Sequence, residues 1–268
     1  GADAEQYGVN KNGDAFVSWN WKAGTSFSND ASSTSVGTID STGSVNTDAG
    51  FSIISYTGNG STNQTIGHGL GVEPDFIIIK ARSTTMNWPT YQKVMGNGVV
   101  FLDVTAAWAS GSGYDNYWYT SGMTSSTFGI SNNINTNTSG ATYIAYCFAD
   151  VKGYSKFGSY VGNGNADGPF IYTGFKPAWV MGKKTDGAED WFMFDNKRDA
   201  FNLTQKKLRA NSNAAENDNS AKGIDLLSNG FKLRTSNGEF NGSGGNWIYM
   251  AFAENPFVSS TGVPATAR

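Results

Sequence analysis

The feature that most constrains this chain is that it repeats itself. Ser55-Tyr56-Thr57-Gly58-Asn59-Gly60 returns as Ser159-Tyr160-Val161-Gly162-Asn163-Gly164, an offset of 104 positions. Gly71-Val72-Glu73-Pro74-Asp75-Phe76-Ile77-Ile78-Ile79-Lys80 returns as Gly174-Phe175-Lys176-Pro177-Ala178-Trp179-Val180-Met181-Gly182-Lys183, an offset of 103. Trp88 answers to Trp191, and Phe128-Gly129-Ile130 to Phe231-Lys232-Leu233. The ends match as well, with Gly140 to Ala149 aligning on Gly244 to Ala253. Self-similarity at a fixed period is the signature of one structural unit used more than once. Gly13 to Trp21 carries the spacing of that ending a third time, so residues 1–22 look like the last strand of a preceding unit, a remnant or a donated strand.

Each unit reads as short strands. Gly-Asn-Gly after Thr57 and after Val161 supplies residues that tolerate positive φ, as tight turns require. Proline suits the first position of a strand, because it fixes φ and needs no partner for an N–H. Phe76 to Ile79 and Trp179 to Met181, which follow Pro74 and Pro177, are apolar enough to be buried on both faces, which predicts central strands. In the closing strand Ile144, Tyr146 and Phe148 share one face, and Tyr143, Ala145 and Cys147 the other. Helix signals are weak. The best candidate, Leu203 to Glu216, is polar and interrupted by Asn211-Ser212-Asn213, so a strand and an exposed loop are expected there.

The expected fold is therefore all-β, with two tandem β-sandwich units of jelly-roll-like type and an N-terminal extra strand. Residues 1–49 are read as the last strand of a preceding unit plus a linker or peripheral hairpin, 50–152 as the first sandwich, 153–255 as the second, and 256–268 as a C-terminal tail.

Charge excludes some functions. The 19 Lys and Arg and 22 Asp and Glu give a formal charge of −3, and no segment concentrates the basic residues, so the footprint of a nucleic-acid binder is missing. Apolar runs such as Phe76 to Ile79 fall far short of the ~20 residues that a membrane-spanning helix needs, so no membrane insertion is expected.

The chemistry-bearing residues are few. One cysteine, Cys147, forbids an internal disulfide, and one histidine, His68, has no second histidine or nearby cysteine with which to build a triad or a zinc site. His68 reads as an imidazole bonded to a turn carbonyl, and Cys147, replaced by Ala251 in the second unit, as a small core residue. Asp103, Asp115, Glu189, Asp190, Asp195 and Glu216 are the candidates for a glycosidase carboxylate pair, but none stands out by its setting. Asn163 to Gly168 resembles the opening of a calcium loop, yet Gly174 occupies the position of the closing Glu, so a turn held by Asn and Asp side chains is expected. No catalytic residue, cofactor or metal is assigned, and the protein is expected not to be an enzyme.

One stretch invites a binding role. Trp108, Tyr114, Tyr117, Trp118 and Tyr119 stand among Ser, Gly, Asp and Asn, without counterparts in the second unit. Rigid amphipathic rings in such company are what recognition loops use, so these five are the candidate surface-binding residues. The alternative is that Tyr117 and Tyr119 are strand residues facing the core, and the sequence leaves both readings open.

Phe16-Val17-Ser18-Trp19-Asn20-Trp21-Lys22-Ala23-Gly24, Gly67-His68-Gly69-Leu70-Gly71-Val72-Glu73-Pro74, Tyr146-Cys147-Phe148-Ala149-Asp150-Val151 and Met250-Ala251-Phe252-Ala253-Glu254-Asn255-Pro256-Phe257 together resemble a repeat family of unassigned function found in virion proteins of marine bacteriophages. There it often lies downstream of a laminin-G or concanavalin-like jelly roll in tail-fibre-like chains, and the resemblance runs from about Gly8 to Arg268. It implies a virion structural protein, as tail fibre, head fibre or decoration component, acting in particle assembly, host-surface binding or both. The partners it implies are other virion proteins and copies of the same chain, a trimer first, with a host-surface glycan or protein as a further partner. The implied location is the virion, assembled in the host cytoplasm. The alternative from a different class is a secreted carbohydrate-binding module or glycosidase.

Overall fold

The computed structural model describes residues 12–255. It is nearly all β, and the principal sheets of its two halves share a four-strand core order. In the first, β1 (Thr25–Asn29), β2 (Ser41–Asn46), β3 (Phe51–Thr57), β5 (Phe76–Ala81), β6 (Pro89–Gln92), β7 (Val100–Phe101) and β9 (Thr142–Phe148) form one antiparallel sheet in the order β1-β2-β3-β9-β5-β6-β7. A second small sheet pairs β4 (Gln64–Gly67) with β8 (Thr127–Ile130).

The second half builds its principal sheet from β10 (Ser155–Val161), β12 (Pro177–Lys184), β13 (Phe192–Asp195) and β18 (Asn246–Ala253), ordered β10-β18-β12-β13. Its outer sheet is β11 (Phe170–Tyr172), β17 (Gly230–Leu233) and β16 (Ile224–Leu227), ordered β11-β17-β16, and two-residue strands β14 (Lys206–Lys207) and β15 (Asn217–Asp218) pair with each other. The core order β3-β9-β5-β6 thus matches β10-β18-β12-β13. The apolar runs expected to be central are central: β5 lies between β9 and β6, and β12 between β18 and β13.

The same bonds recur 104 residues apart. The Tyr56 hydroxyl donates to the Thr136 carbonyl (2.7 Å), and the Tyr160 hydroxyl to the Phe240 carbonyl (2.9 Å). Tyr56 stacks on Tyr143 at 5.2 Å, and Tyr160 on Trp247 at 5.4 Å. One-turn helices α2 (Ile134–Asn137) and α3 (Gly238–Asn241) are capped by Asn133 and Asn237, and each ends on a fully buried asparagine. Asn137 Oδ1 accepts the Asn59 N–H (2.8 Å) while its Nδ2 donates to the Ser61 carbonyl (2.8 Å). Asn241 does likewise with the Asn163 N–H (2.8 Å) and the Asn165 carbonyl (2.8 Å). A buried amide that satisfies both its ends in this way locks the Gly-Asn-Gly turn onto the one-turn helix that precedes the closing strand, because leaving either end unpaired would cost about 1–3 kcal/mol.

The halves are joined face to face. On β9, Tyr143, Ala145 and Cys147 point into the first half's own core, while Tyr146 and Phe148 point the other way. On β18, Trp247, Tyr249 and Ala251 enter the second core, while Ile248, Met250 and Phe252 point back. The back-facing sets meet in a third apolar layer, where Phe76 and Phe148 each lie 6.0 Å from Phe157, and Phe148 lies 6.0 Å from Phe252. Polar bonds also cross: Trp191 Nε1–H donates to the Phe101 carbonyl (2.7 Å), and buried Lys183 donates to the Thr105 carbonyl (3.0 Å). The principal sheets are thereby buried on both faces, which is why strands with no polar face form here.

One expectation changes at the N-terminal end, and an open one is decided. Residues 14–24 form no strand, so the described part of the expected extra strand is absent; residues 1–11 lie outside the described range, as does the tail 256–268. Of the two readings for residues 25–46, linker or peripheral hairpin, the hairpin holds. β1 and β2 pair along their length, joined by the one-turn helix α1 (Ala31–Thr34), and β2 pairs with β3 to extend the principal sheet.

Candidate functional site

The aromatic stretch singled out by sequence divides between core and surface. Tyr117 and Trp118 are buried, so neither can meet a partner, and this corrects their reading as surface-binding residues. The cause is pairing: Trp118 bridges Ile130, and Tyr119 N–H donates to the Gly129 carbonyl (3.2 Å), which lays residues 117–119 alongside β8 of the small β4-β8 sheet. Trp118 packs 5.5 Å from Tyr91, and Tyr117 lies 5.7 Å from Phe101. Tyr119 is half-buried. Trp108 is half-buried as well, its indole lying over Gly98, where a Cβ would come within 2.4 Å of the ring, and its backbone N–H donating to the Thr185 carbonyl (2.9 Å) of the other half. Tyr114 alone is exposed, stacked at 6.3 Å on Tyr117 in a turn closed by Asp115, which accepts the Gly111 N–H (2.9 Å).

The groups weighed for chemistry are tied into structure. Asp195 is buried and held below the ordinary carboxylate range: burial pushes its pKa up, and the hydrogen bonds and charge of Arg198 outweigh that. Arg198 Nε bonds Asp195 at 2.7 Å and its Nη1 bonds Glu216 at 2.8 Å, so two of the six candidate carboxylates neutralise one guanidinium. Asp190 pairs with Arg209 (2.6 Å), and Asp103 accepts the Trp88 N–H (3.0 Å). His68 is fully buried; Nε2 contacts the Thr124 carbonyl (3.2 Å) and Nδ1 accepts the Leu70 N–H (3.1 Å), which fixes the Nε2–H tautomer. Burial also pushes the Cys147 thiol pKa up, away from the thiolate. In the Asn163 to Gly168 turn, Asn163 accepts the Asn165 N–H (3.0 Å), Asn165 the Asp167 N–H (2.9 Å), and Asp167 pairs with Lys232 (3.0 Å). Among the described residues no group of three His, Cys, Asp or Glu side chains could hold a metal ion.

Two surfaces were not read from the sequence. The first is an apolar cleft of about 390 Å³ between the facing principal sheets, lined among others by Trp19, Trp21, Trp179, Met181, Met193 and Tyr146. Trp21 lies 5.6 Å from Trp179 and 5.3 Å from Phe252, both edge-on, and the Arg198 guanidinium sits 5.8 Å over the Trp19 ring. The Trp-Asn-Trp of the N-terminal segment is thus docked by its rings at the seam of the two halves. Alternation in Trp19-Asn20-Trp21 was the available signal; it marked two rings on one side but not that this side would meet a cleft rather than a neighbouring strand.

The second surface is the outer face of β11, where Phe170 is 43% and Tyr172 65% exposed. Each ring lies against a glycine, Phe170 against Gly230 and Tyr172 against Gly174.

A family model described as a domain of unknown function, DUF7483, matches residues 1–256, and the chain belongs to that family. No curated protein and no solved structure matches it.

Proposed function

For this member of the DUF7483 family we propose a non-enzymatic structural role in a bacteriophage particle, as a tail-fibre, head-fibre or decoration component. The observation that carries the reading is the fusion of the two halves. Phe76, Phe148, Phe157, Met250 and Phe252 hold the principal sheets together, so the broad faces of both sandwiches serve cohesion. A block made rigid in this way suits a spacer or a coat element, whose task is to keep dimensions under stress. The resemblance of its sequence strings to repeats of phage virion proteins supports the same reading, and so does the engagement of Asp190, Asp195, Glu216 and His68 in bonds within the fold. Other virion proteins and further copies of the chain, in a trimer, are the proposed partners, and the virion is the proposed location.

The test is immunogold labelling of purified phage particles with an antibody raised against the chain, together with mass spectrometry of the particle proteins. Labelling at a fixed place on the particle is the expected result. Recovery of the protein only as a free monomer in a cellular fraction would overturn the proposal.

A further inference from the structure

The two halves differ on one side. In the first, the connection from β1 to β2 closes the flank of the sandwich: Thr38 and Ile39 N–H groups donate to the Thr65 carbonyl (2.8 and 3.1 Å), Ile39 bridges Ile66, and Val36 packs where a Cβ on Gly67 would lie. The second half has no such connection, because β10 follows β9 after only a short turn. Register makes the comparison residue by residue. Ile66 pairs with Phe128, and Ile171 with Phe231, so Phe170 and Tyr172 stand where the first half has Thr65 and Gly67. The two positions that the first half covers with its own chain are, in the second half, exposed aromatic rings.

Three properties define what this face fits. The rings are two residues apart on one strand face, about 7 Å, with the Phe170 ring beside Gly230 and the hydroxyl end of Tyr172 beside Gly174. Charges beside them cancel locally: Asp167 pairs with Lys232 (3.0 Å) and Arg234 (3.4 Å), and Arg234 with Asp225 (3.3 Å). Lys232 is the cross-strand neighbour of both Phe170 and Asp225, so donors and acceptors edge the rings without a net field. Finally, two part-exposed rings offer about 200 Å² of apolar surface, far below the roughly 800 Å² per partner that a stable protein interface buries.

We propose that Phe170 and Tyr172, edged by Lys232, Arg234 and Asp225, form a binding platform for a neutral carbohydrate of one or two sugar rings. The C–H faces of the sugar lie on the two aromatic rings, and its hydroxyls exchange hydrogen bonds with the paired charges. This goes beyond the proposed structural role, which assigns no ligand. The pairing of the charges disfavours an acidic polymer as the preferred ligand, since the cations beside the rings, Lys232 and Arg234, are already paired.

The test uses the full chain in affinity gels containing hydroxyethyl cellulose, laminarin or soluble starch, and on a printed array of neutral and acidic oligosaccharides. Retardation by at least one neutral glycan is expected, and it should persist at 1 M salt on the order of a Debye length of 3 Å, because an uncharged ligand is not screened. Phe170→Ala and Tyr172→Ala should each weaken binding by about tenfold, with the thermal midpoint unchanged because the rings are exposed. Absence of binding to every neutral glycan, a preference for acidic ones, or unaltered binding by the double variant overturns the proposal. A shift in sedimentation of the double variant would overturn it too, by showing that a second copy covers the face. Particle labelling is a separate assay, so failure here leaves the virion reading standing and failure there leaves the platform standing.

Discussion

His68 ties stability to pH in a way that one substitution isolates. Its ring is buried, its Nδ1 accepts the Leu70 N–H, and its Nε2–H donates to the Thr124 carbonyl. Protonation would put a second N–H against that of Leu70, and burial lowers the pKa from 6.5 to about 4. The folded state therefore resists a proton that the unfolded chain accepts. Stability is complete above pH 6.5 and falls as the pH drops toward 4, by about 3 kcal/mol over the whole window. Between pH 7.5 and pH 5 the same two values give a loss of about 2 kcal/mol. Urea unfolding at these two pH values, followed by tryptophan fluorescence, measures it directly. In His68→Asn the amide oxygen can still accept the Leu70 N–H, as Asx turns do, but nothing titrates. The variant should lose less than about 0.5 kcal/mol over the same interval. Asp75, whose carboxyl burial raises in pKa, affects both proteins alike and drops out of the difference. Equal pH sensitivity in the two proteins, or none in the parent, would refute the argument. The chain has one histidine, so no other imidazole can supply the effect.

Further outcomes follow from burial and bonding. Asn137→Ala and Asn241→Ala should each cost about 2 kcal/mol in chemical unfolding, because each removes the bonds that a buried amide makes to an N–H and a carbonyl of its part-buried turn. Trp118→Ala should cost about 4 kcal/mol as a core truncation, whereas Tyr114→Ala, at an exposed turn, should stay within about 0.5 kcal/mol by the same measurement. Residues 153–255 made alone should self-associate in sedimentation experiments, since removing the first half bares Phe157, Ile248, Met250 and Phe252; a stable monomer would show that the shared layer is dispensable.

Much of the fold is legible in the residues. The match between Phe76 to Ile79 and Trp179 to Met181, each following Gly-x-x-Pro, placed the central strands, and the alternation in Tyr143 to Phe148 assigned its two faces as the structure has them. What covers those faces was not legible. Apolar residues on both sides of a strand demand a layer on each side, but the period of two does not say whether the second layer is a helix, a neighbouring molecule or the other half of the same chain. The aromatic stretch failed for a related reason. Trp108 to Tyr119 has the composition of a recognition loop, yet Tyr117 and Trp118 sit where a two-residue stretch pairs with β8, and pairing of that length leaves no periodicity to read. Phe170 and Tyr172 escaped notice because alternation with buried Ile171 looks the same whether the outer face is covered or bare.

The departures from symmetry between the halves carry more about function than the likeness does. Tyr56 and Tyr160, or Asn137 and Asn241, repeat because each sandwich needs the same turn lock to close, so they report stability. The flank closed by Thr38 and Ile39 in one half and left to Phe170 and Tyr172 in the other has no such requirement. A ring in water gains nothing for folding: truncating an exposed Tyr172 removes little buried area, while keeping it costs solubility. Phe16, Tyr114 and Phe201 are exposed as well, but at separate positions, whereas Phe170 and Tyr172 stand two residues apart on one strand face, against the trend that buries most of the described aromatics in three apolar layers. The place where the second half departs from the first is accordingly the place to look for what the protein touches.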